Sequence, residues 1–473
     1  MAAALLLLCQ KWCNDSKYLL SKFVRIDVQN CQLSRCAHIH PSPQSVSTIF
    51  NDALGKAWPY MNNPIHKNPE DVWQMDLADI NVADGELFKN QGQWAYFERL
   101  RKEAPVHYCK ESEFGPYWSI SRFDDIKWVD KNHELFSSEG GITVDDGAED
   151  FPLPMFIAMD PPKHDQQRAV VSPTVAPRNL ADLESTIRQR VCNILDSLPV
   201  NEEFDWVDKV SIELTTQMLA TLFDFPWEDR RKLTWWSDVV TGGESQNLVE
   251  DEEEWKAVMM ECLGYFMNLW EERLKQPPSN DFISMMVHGT ATKDMPPEEY
   301  LGNLILLIVG GNDTTRNSIT GGVYALNKHP DQYDKLRANP KLIPNMVSEI
   351  IRWQTPLAHM RRIATEDVEL RGQTIKKGDK VVMWYASGNR DEEAFENADD
   401  FIIDRKNARQ HVSFGFGVHR CMGNRLAEMQ LRVLWEEILQ RFEKVEVVSE
   451  PERNNSSFVA GYQNMMVRLI PKG

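Results

Sequence analysis

The sequence predicts a mainly α protein with a small β region, folded as a single large domain. Three observations carry that expectation. Apolar residues recur at helical spacing over long stretches, among them residues 180–198, 255–275 and 297–327. Strand-like alternation is confined to short pieces at residues 117–121, 368–385 and 462–470. The 473 residues are 42% apolar and 26% charged, a balance that buries a sizeable core, and no internal repeat marks a second folding unit.

Taken in order, residues 1–45 read as a poorly ordered tail that ends at Pro41-Ser42-Pro43, with the folded domain running from 46 to 473. Four of the eight cysteines, Cys9, Cys13, Cys31 and Cys36, fall in the tail at spacings loose for zinc. So few cysteines in so long a chain do not make a disulfide framework, which points to the cytoplasm. The apolar runs 1–9 and 304–309 fall far short of the roughly 20 residues of a spanning helix, and no basic segment precedes the first, so neither a transmembrane segment nor a signal peptide is expected. A net charge of −19 argues against nucleic-acid binding. The acidic run 251–254 reads as a solvated face.

Pro297 in a first turn with Glu298 and Glu299 opens an unusually long helix, because both residue types suit a positive helix end. A second helix over 343–353 stops before Pro356. Turns at Arg371-Gly372 and Lys377-Gly378 divide the alternating stretch that follows.

The most specific segment is 413–423, Ser-Phe-Gly-Phe-Gly-Val-His-Arg-Cys-Met-Gly, followed by a helical run from Asn424. Gly415 and Gly417 permit a tight turn and close backbone approach to a flat ligand, and Gly423 frees the backbone beyond the sulfur. Cys421 then sits at a helix start, where N–H groups stabilise a thiolate. Taken alone, Cys421 reads equally as a small buried hydrophobe. In the long helix Leu306, Gly310 and Thr314 share one face. The pair Gly310-Gly311 costs roughly 1 kcal/mol per residue relative to alanine. Either a flat ligand pressing on the backbone, with a local distortion freeing a carbonyl, or close helix packing explains it. Asp313 and Thr314 offer an acid and a hydroxyl beside that space.

Phe414, Gly415, Gly417, His419, Cys421 and Gly423 resemble the haem-binding signature Phe-Gly-x-Gly-x-His-x-Cys-x-Gly of the cytochrome P-450 superfamily, and residues 310–314 resemble its oxygen-activating helix. The resemblance implies the cytochrome P-450 fold, haem b (iron protoporphyrin IX) bound through the Cys421 sulfur, and a proton relay through Asp313 and Thr314 to dioxygen. It places Gly310, Phe414, Gly415 and Gly423 against the haem, and His164, Arg168, Arg362 and His419 at its propionates. Glu349, Arg352 and Arg405 match the family's structural ion pairs, although Glu349 and Arg352 alone read as a surface salt bridge.

Within the superfamily, residues 155–160, 310–318 and 350–356 resemble the bacterial soluble hydroxylases that oxidise the terminal carbon of n-alkanes and fatty acids. Ile157, Leu306, Val309, Leu357 and Ala358 would give an apolar pocket without an obvious charge. No flavin or iron–sulfur pattern occurs, so electrons from NAD(P)H must come through separate partners, a ferredoxin and its reductase. Arg405, Lys406, Arg409, Arg420 and Arg425 form a basic cluster that would dock the ferredoxin on a monomeric enzyme. The alternatives are a P-450 acting on another apolar substrate such as a terpenoid, a peroxide-driven enzyme, or a haem sensor or carrier without turnover.

Overall fold

The computed structural model describes residues 69–147 and 150–472, which belong to one compact unit, Asn63–Gly473. The expected boundary near residue 45 and the four cysteines before it lie outside the described residues.

Nine helices position the site: α1 (Phe123–Lys131), α2 (Lys163–Val171), α3 (Pro177–Asp196), α4 (Glu213–Phe223), α5 (Arg231–Gly242), α6 (Glu252–Arg273), α7 (Pro297–Lys328), α8 (Ile343–Gln354) and α9 (Asn424–Arg441). The 32-residue α7 begins at Pro297 as its first-turn chemistry requires and ends where Pro330 starts the next helix. It is buried almost all round, with Leu304, Ile308 and Ile319 inaccessible to solvent, and packs against α4, α5 and α8. An axis surrounded in this way needs no polar stripe, which is why its apolar residues spread beyond one face.

The acidic run near 251 has a local purpose: Asp251 is the N-cap of α6, accepting a hydrogen bond from Glu254 N at 2.9 Å, and three glutamates fill the first turn. The helix α8 extends one residue beyond expectation to Gln354 and closes on Thr355, whose φ of 41° lies in the left-handed region just before Pro356.

The larger sheet holds β1 (Val106–Cys109), β2 (Tyr117–Ile120), β3 (Phe136–Ser137), β4 (Met360–Ala364) and β5 (Lys380–Met383) in the order β1-β2-β5-β4-β3. Only the β2–β5 pairing is parallel. Arg361 and Arg362 are neighbours on β4, so their side chains leave opposite faces of the sheet. Residues 368–375 form a separate hairpin around Arg371 and Gly372, both at positive φ. The strand-like stretch 462–470 forms two strands, Tyr462–Asn464 and Met466–Pro471, in different sheets. Met465 N donates to the Asp205 carboxylate at the break, which diverts the backbone from its ladder.

Candidate active site

The cysteine loop is built on α1. Gly415 and Gly417 take φ values of 65° and 67°, and a side chain on Gly417 would collide with the Asp130 carbonyl oxygen. Asp130, itself buried, accepts hydrogen bonds from Phe416 N at 2.7 Å, Tyr385 Oη at 2.8 Å and Arg362 Nη2 at 2.8 Å. One carboxylate thereby fixes the loop, the end of β5 and a guanidinium together. The loop closes where Cys421 N donates to Phe414 O at 2.8 Å, and Gly423 is the N-cap of α9. Gly423 has an ordinary φ of −85°, and a side chain there would meet no protein atom within 4 Å. Its glycine is therefore not demanded by the turn, contrary to expectation.

Cys421 is exposed, yet the mass of protein around it pushes its thiol upward; the sulfur sits in a recess within the molecule. The N–H groups of Gly423 and Asn424 and the guanidinium groups of Arg168 and Arg420 act in the opposite sense.

Four residues expected at the propionates come together. The rings of His164 and His419 lie 4.2 Å apart, and Arg362 and Arg168 are close enough to His419 to lower its pKa further, after burial, which is the main cause. His419 Nε2 meets Ser138 Oγ at 2.9 Å and His164 Nδ1 meets the Asp165 carboxylate at 2.8 Å. The other nitrogen of each ring, His419 Nδ1 and His164 Nε2, is buried without a partner. Arg168 Nη2 donates to Arg420 O at 2.6 Å, beside the cysteine.

On α7 the two glycines separate into two roles. A side chain on Gly311 would lie 2.6 Å from Leu219 Cδ2 of α4, so this glycine serves helix packing. Gly310 is exposed in mid-helix, with no protein atom within 4 Å of its missing side chain. The helix is regular here, and Thr314 Oγ1 donates to Gly310 O at 2.9 Å, so the expected distortion with a freed carbonyl is absent.

Asp313 and Thr314 also part. Consecutive helical residues point about 100° apart, and the Asp313 carboxylate is completely buried on the side facing α5. It accepts from Ser237 Oγ at 2.8 Å and pairs with Arg316 Nη2 at 2.5 Å, while Arg316 Nη1 reaches Asp238 at 2.6 Å. The acid is therefore not beside the Thr314 hydroxyl as expected, because Arg316 at i+3 and Ser237 hold it behind the helix. Burial, and then the proximity of Asp313, raise the Asp238 pKa, against the pull of Arg316.

Leu306 and Val309 are partly exposed on the same side as Gly310. Ile157 is partly exposed in a segment tied to α7 by Phe156 N donating to Asn303 Oδ1 at 2.9 Å. Leu357 is partly exposed, but Ala358 is not a lining residue: its side chain is wholly buried with Val382 and Trp384. Alternation along the extended backbone turns neighbours to opposite sides.

Glu349, Arg352 and Arg405 form a buried network in place of a surface salt bridge. Arg352 donates to both Glu349 oxygens at 2.8 Å and to the carbonyls of Asn389, Ala398 and Asp400. Arg405 Nε meets the same carboxylate at 3.0 Å. Buried Arg405 thus drops out of the basic cluster, whose exposed members are Lys406, Arg409, Arg420 and Arg425.

Residues 172–468 match the family model Cytochrome P450. The chain belongs to the cytochrome P450 family. CYP153D17 from Sphingomonas sp. PAMC 26605 is a solved structure similar to it at 53% identity, covering 82% of this chain and 98% of that one with a TM-score of 0.78. Linalool 8-monooxygenase of Pseudomonas putida is 37% identical over 84% of this chain and 100% of its own length. A methyl-branched lipid omega-hydroxylase of Mycobacterium bovis is 32% identical over 84% of this chain and 92% of its own.

This P450 is accordingly a monooxygenase with haem b as cofactor, O2 as co-substrate and NAD(P)H electrons delivered through redox partners. The residues present fit a haem. Its two carboxylates suit the unpartnered ring nitrogens of His164 and His419 beside Arg168 and Arg362, and its flat face suits Gly310. Among the described residues no helix is long and apolar enough to cross a membrane. Asp130 and Ser138 contribute to the site without belonging to any motif read from the sequence, and Arg316, although inside the stretch 310–318, was given no role there; only the fold brings them to it.

Proposed function

We propose that this P450 hydroxylates the terminal carbon of n-alkanes or fatty acids, taking electrons from an iron–sulfur ferredoxin and its reductase in the cytoplasm. The observation that carries the reading is the α7 face that displays Leu306, Val309 and Gly310 while the carboxylate of Asp313 is locked behind the helix with Arg316. With Ile157 and Leu357 this makes a surface suited to an apolar chain. The similarity to a lipid omega-hydroxylase supports the position of attack. The four described cysteines are all free, in keeping with a reducing compartment.

In this reading Cys421 Sγ is the iron ligand, and His164, Arg168, Arg362 and His419 hold the propionates. When bound, the haem supplies the oxygen activation that C–H hydroxylation requires. Thr314 Oγ1, on the pocket side, holds and passes the proton that the reaction consumes, and Asp313 stands one residue back in its pair with Arg316. Arg409, Arg420 and Arg425, gathered around Glu428 beside the cysteine loop, offer the positive surface for an acidic ferredoxin.

Incubated with ferredoxin, reductase and NADH, the enzyme is expected to convert n-dodecane chiefly to the terminal alcohol and dodecanoic acid chiefly to the ω-hydroxy acid. Internal alcohols alone would overturn the position of attack. A second reading, hydroxylation of a terpenoid, is favoured by the similarity to linalool 8-monooxygenase; turnover of linalool with neither dodecane nor dodecanoic acid consumed would select it.

Thr314→Ala is expected to keep the fold, since the hydroxyl bonds only within its own helix. Product formed per NADH should fall on the order of tenfold while NADH oxidation continues and hydrogen peroxide rises. Thr314→Ser should retain most of the coupling. Equal product yields in Thr314→Ala and the wild type would remove Thr314 from proton handling.

A further inference from the structure

His359 occupies the gap between three backbone segments: residues 142–146, the entry to β4, and residues 456–460. The entry to β4 includes Leu357, assigned above to the apolar pocket. On one side Ala358 N donates to Phe458 O at 2.9 Å, Ala460 N donates to Pro356 O at 2.9 Å, and Leu357 bridges Val459. On the other, Arg361 N donates to Ile142 O at 2.8 Å.

The His359 side chain joins the outer two segments directly. Val144 N donates to its Nε2 at 3.1 Å, and its Nδ1 lies 2.9 Å from Ser457 O. A backbone N–H only donates and a carbonyl only accepts, so Nε2 carries no proton and Nδ1 carries one. Both ring nitrogens are thereby committed, and the ring has neither a free lone pair nor a free proton for acid–base chemistry. Its burial is complete, and this pushes its pKa down to about 4, so the neutral form that both bonds require is the form present. The ring also packs edge to face on Trp384 at 4.8 Å and against Phe458 at 5.3 Å, which fixes its plane.

Below the ring, Arg361 extends the same attachment. Its guanidinium bonds the carbonyls of Gly140 and Asp145 and, at 2.5 Å, the Asp146 carboxylate, which Lys380 also holds. Residues 140–146 are therefore held by a salt-bridged group near their exposed end and by His359 at Val144. Among the described residues, it is the His359 side chain that continues across to the 457 segment.

We propose that His359 is a positioning residue which locks these three segments into one wall, and that the wall, through Leu357 and its bridge to Val459, sets which carbon of an apolar chain is presented for hydroxylation. The consequence for the product rests on the terminal-hydroxylation reading; the locking of the segments does not.

The test compares His359→Phe, which keeps the ring and its aromatic contacts but removes both hydrogen bonds, with His359→Gln, whose amide offers one acceptor and one donor. Backbone hydrogen exchange and the ratio of terminal to internal alcohols from n-dodecane are measured on the haem-loaded proteins, after haem content is matched. In His359→Phe, exchange within 142–146 and 456–460 should quicken roughly five- to tenfold with the rest of the chain unchanged. The terminal fraction should fall several-fold, and His359→Gln should recover part of both. Unchanged exchange, or faster exchange with an unchanged product ratio, overturns the proposal. If His359→Phe fails to load haem, the same two readouts on His359→Gln and His359→Asn decide, because the shorter asparagine cannot span both partners. Internal alcohols alone from the wild type would overturn the terminal reading, while exchange and any change in product pattern still judge His359.

Discussion

Cys421→Ala is expected to abolish the strongly red-shifted carbon monoxide band of the reduced protein and, with it, hydroxylation. The alternative role for this residue, a small apolar side chain filling the core, makes the opposite pair of expectations. A packing cysteine changed to alanine leaves a cavity and loses stability while any haem spectrum stays as it was. The sulfur is exposed in its recess, so alanine removes little packing and the unfolding temperature of the cofactor-free protein should shift by about 1 °C or less. The loop should also survive, since it is held by Phe416 N and Tyr385 Oη on Asp130 and by the bond from Cys421 N to Phe414 O, all of which alanine retains. Loss of the spectral band in a folded, stable variant therefore isolates the ligand role. Retention of the band in Cys421→Ala would sink it.

The landmarks that declared themselves in the sequence are those whose meaning is local. Gly415 and Gly417 need positive φ for the turn they make, and Pro297 needs a first turn. Periodicity located α3, α6, α7 and α8 to within a few residues because the apolar faces that define them are the faces they bury. What was not legible depends on contacts distant along the chain. Asp130 is one of several acids in α1, and only folding sets it under Phe416, 286 residues later. Asp313 looked like a pocket acid because its neighbour faces the pocket, and the partner that turns it away, Ser237, lies on another helix. Ala358 sits among apolar residues whichever way it points, and the bridge of Leu357 to Val459 decides the matter. His359 carried no signal at all, since both its partners are backbone atoms.

The charge network behind the cysteine loop is expected to dominate stability. Glu349 is fully buried and is the carboxylate shared by Arg352 and Arg405; it also accepts from Ile402 N at 2.9 Å. Had it been the surface pair its i, i+3 spacing suggests, removing it would cost a few tenths of a kcal/mol. Its burial keeps the direction of that effect and raises its size about tenfold. Two guanidinium groups would remain in the interior, and each is held there by main-chain carbonyls, those of Ala398 and Asp400 for Arg352 and of Asn397 and Asp400 for Arg405. They cannot leave for solvent without unmaking the 396–405 segment that they fold. Glu349→Ala should therefore cost about 3–5 kcal/mol, as breaking a buried pair from one side does. Glu349→Gln should cost less, because the amide still accepts one hydrogen bond. Arg352→Lys keeps the charge but cannot reach three carbonyls and a carboxylate at once, so it should resemble Glu349→Ala more than the wild type. Chemical denaturation of the three variants, with haem retention followed in parallel, measures the order directly. Segment 396–405 leads into the cysteine loop, so haem loss should track stability, whereas in Cys421→Ala the two come apart. If Glu349→Ala matches the wild type in denaturation midpoint, the network does not hold the loop.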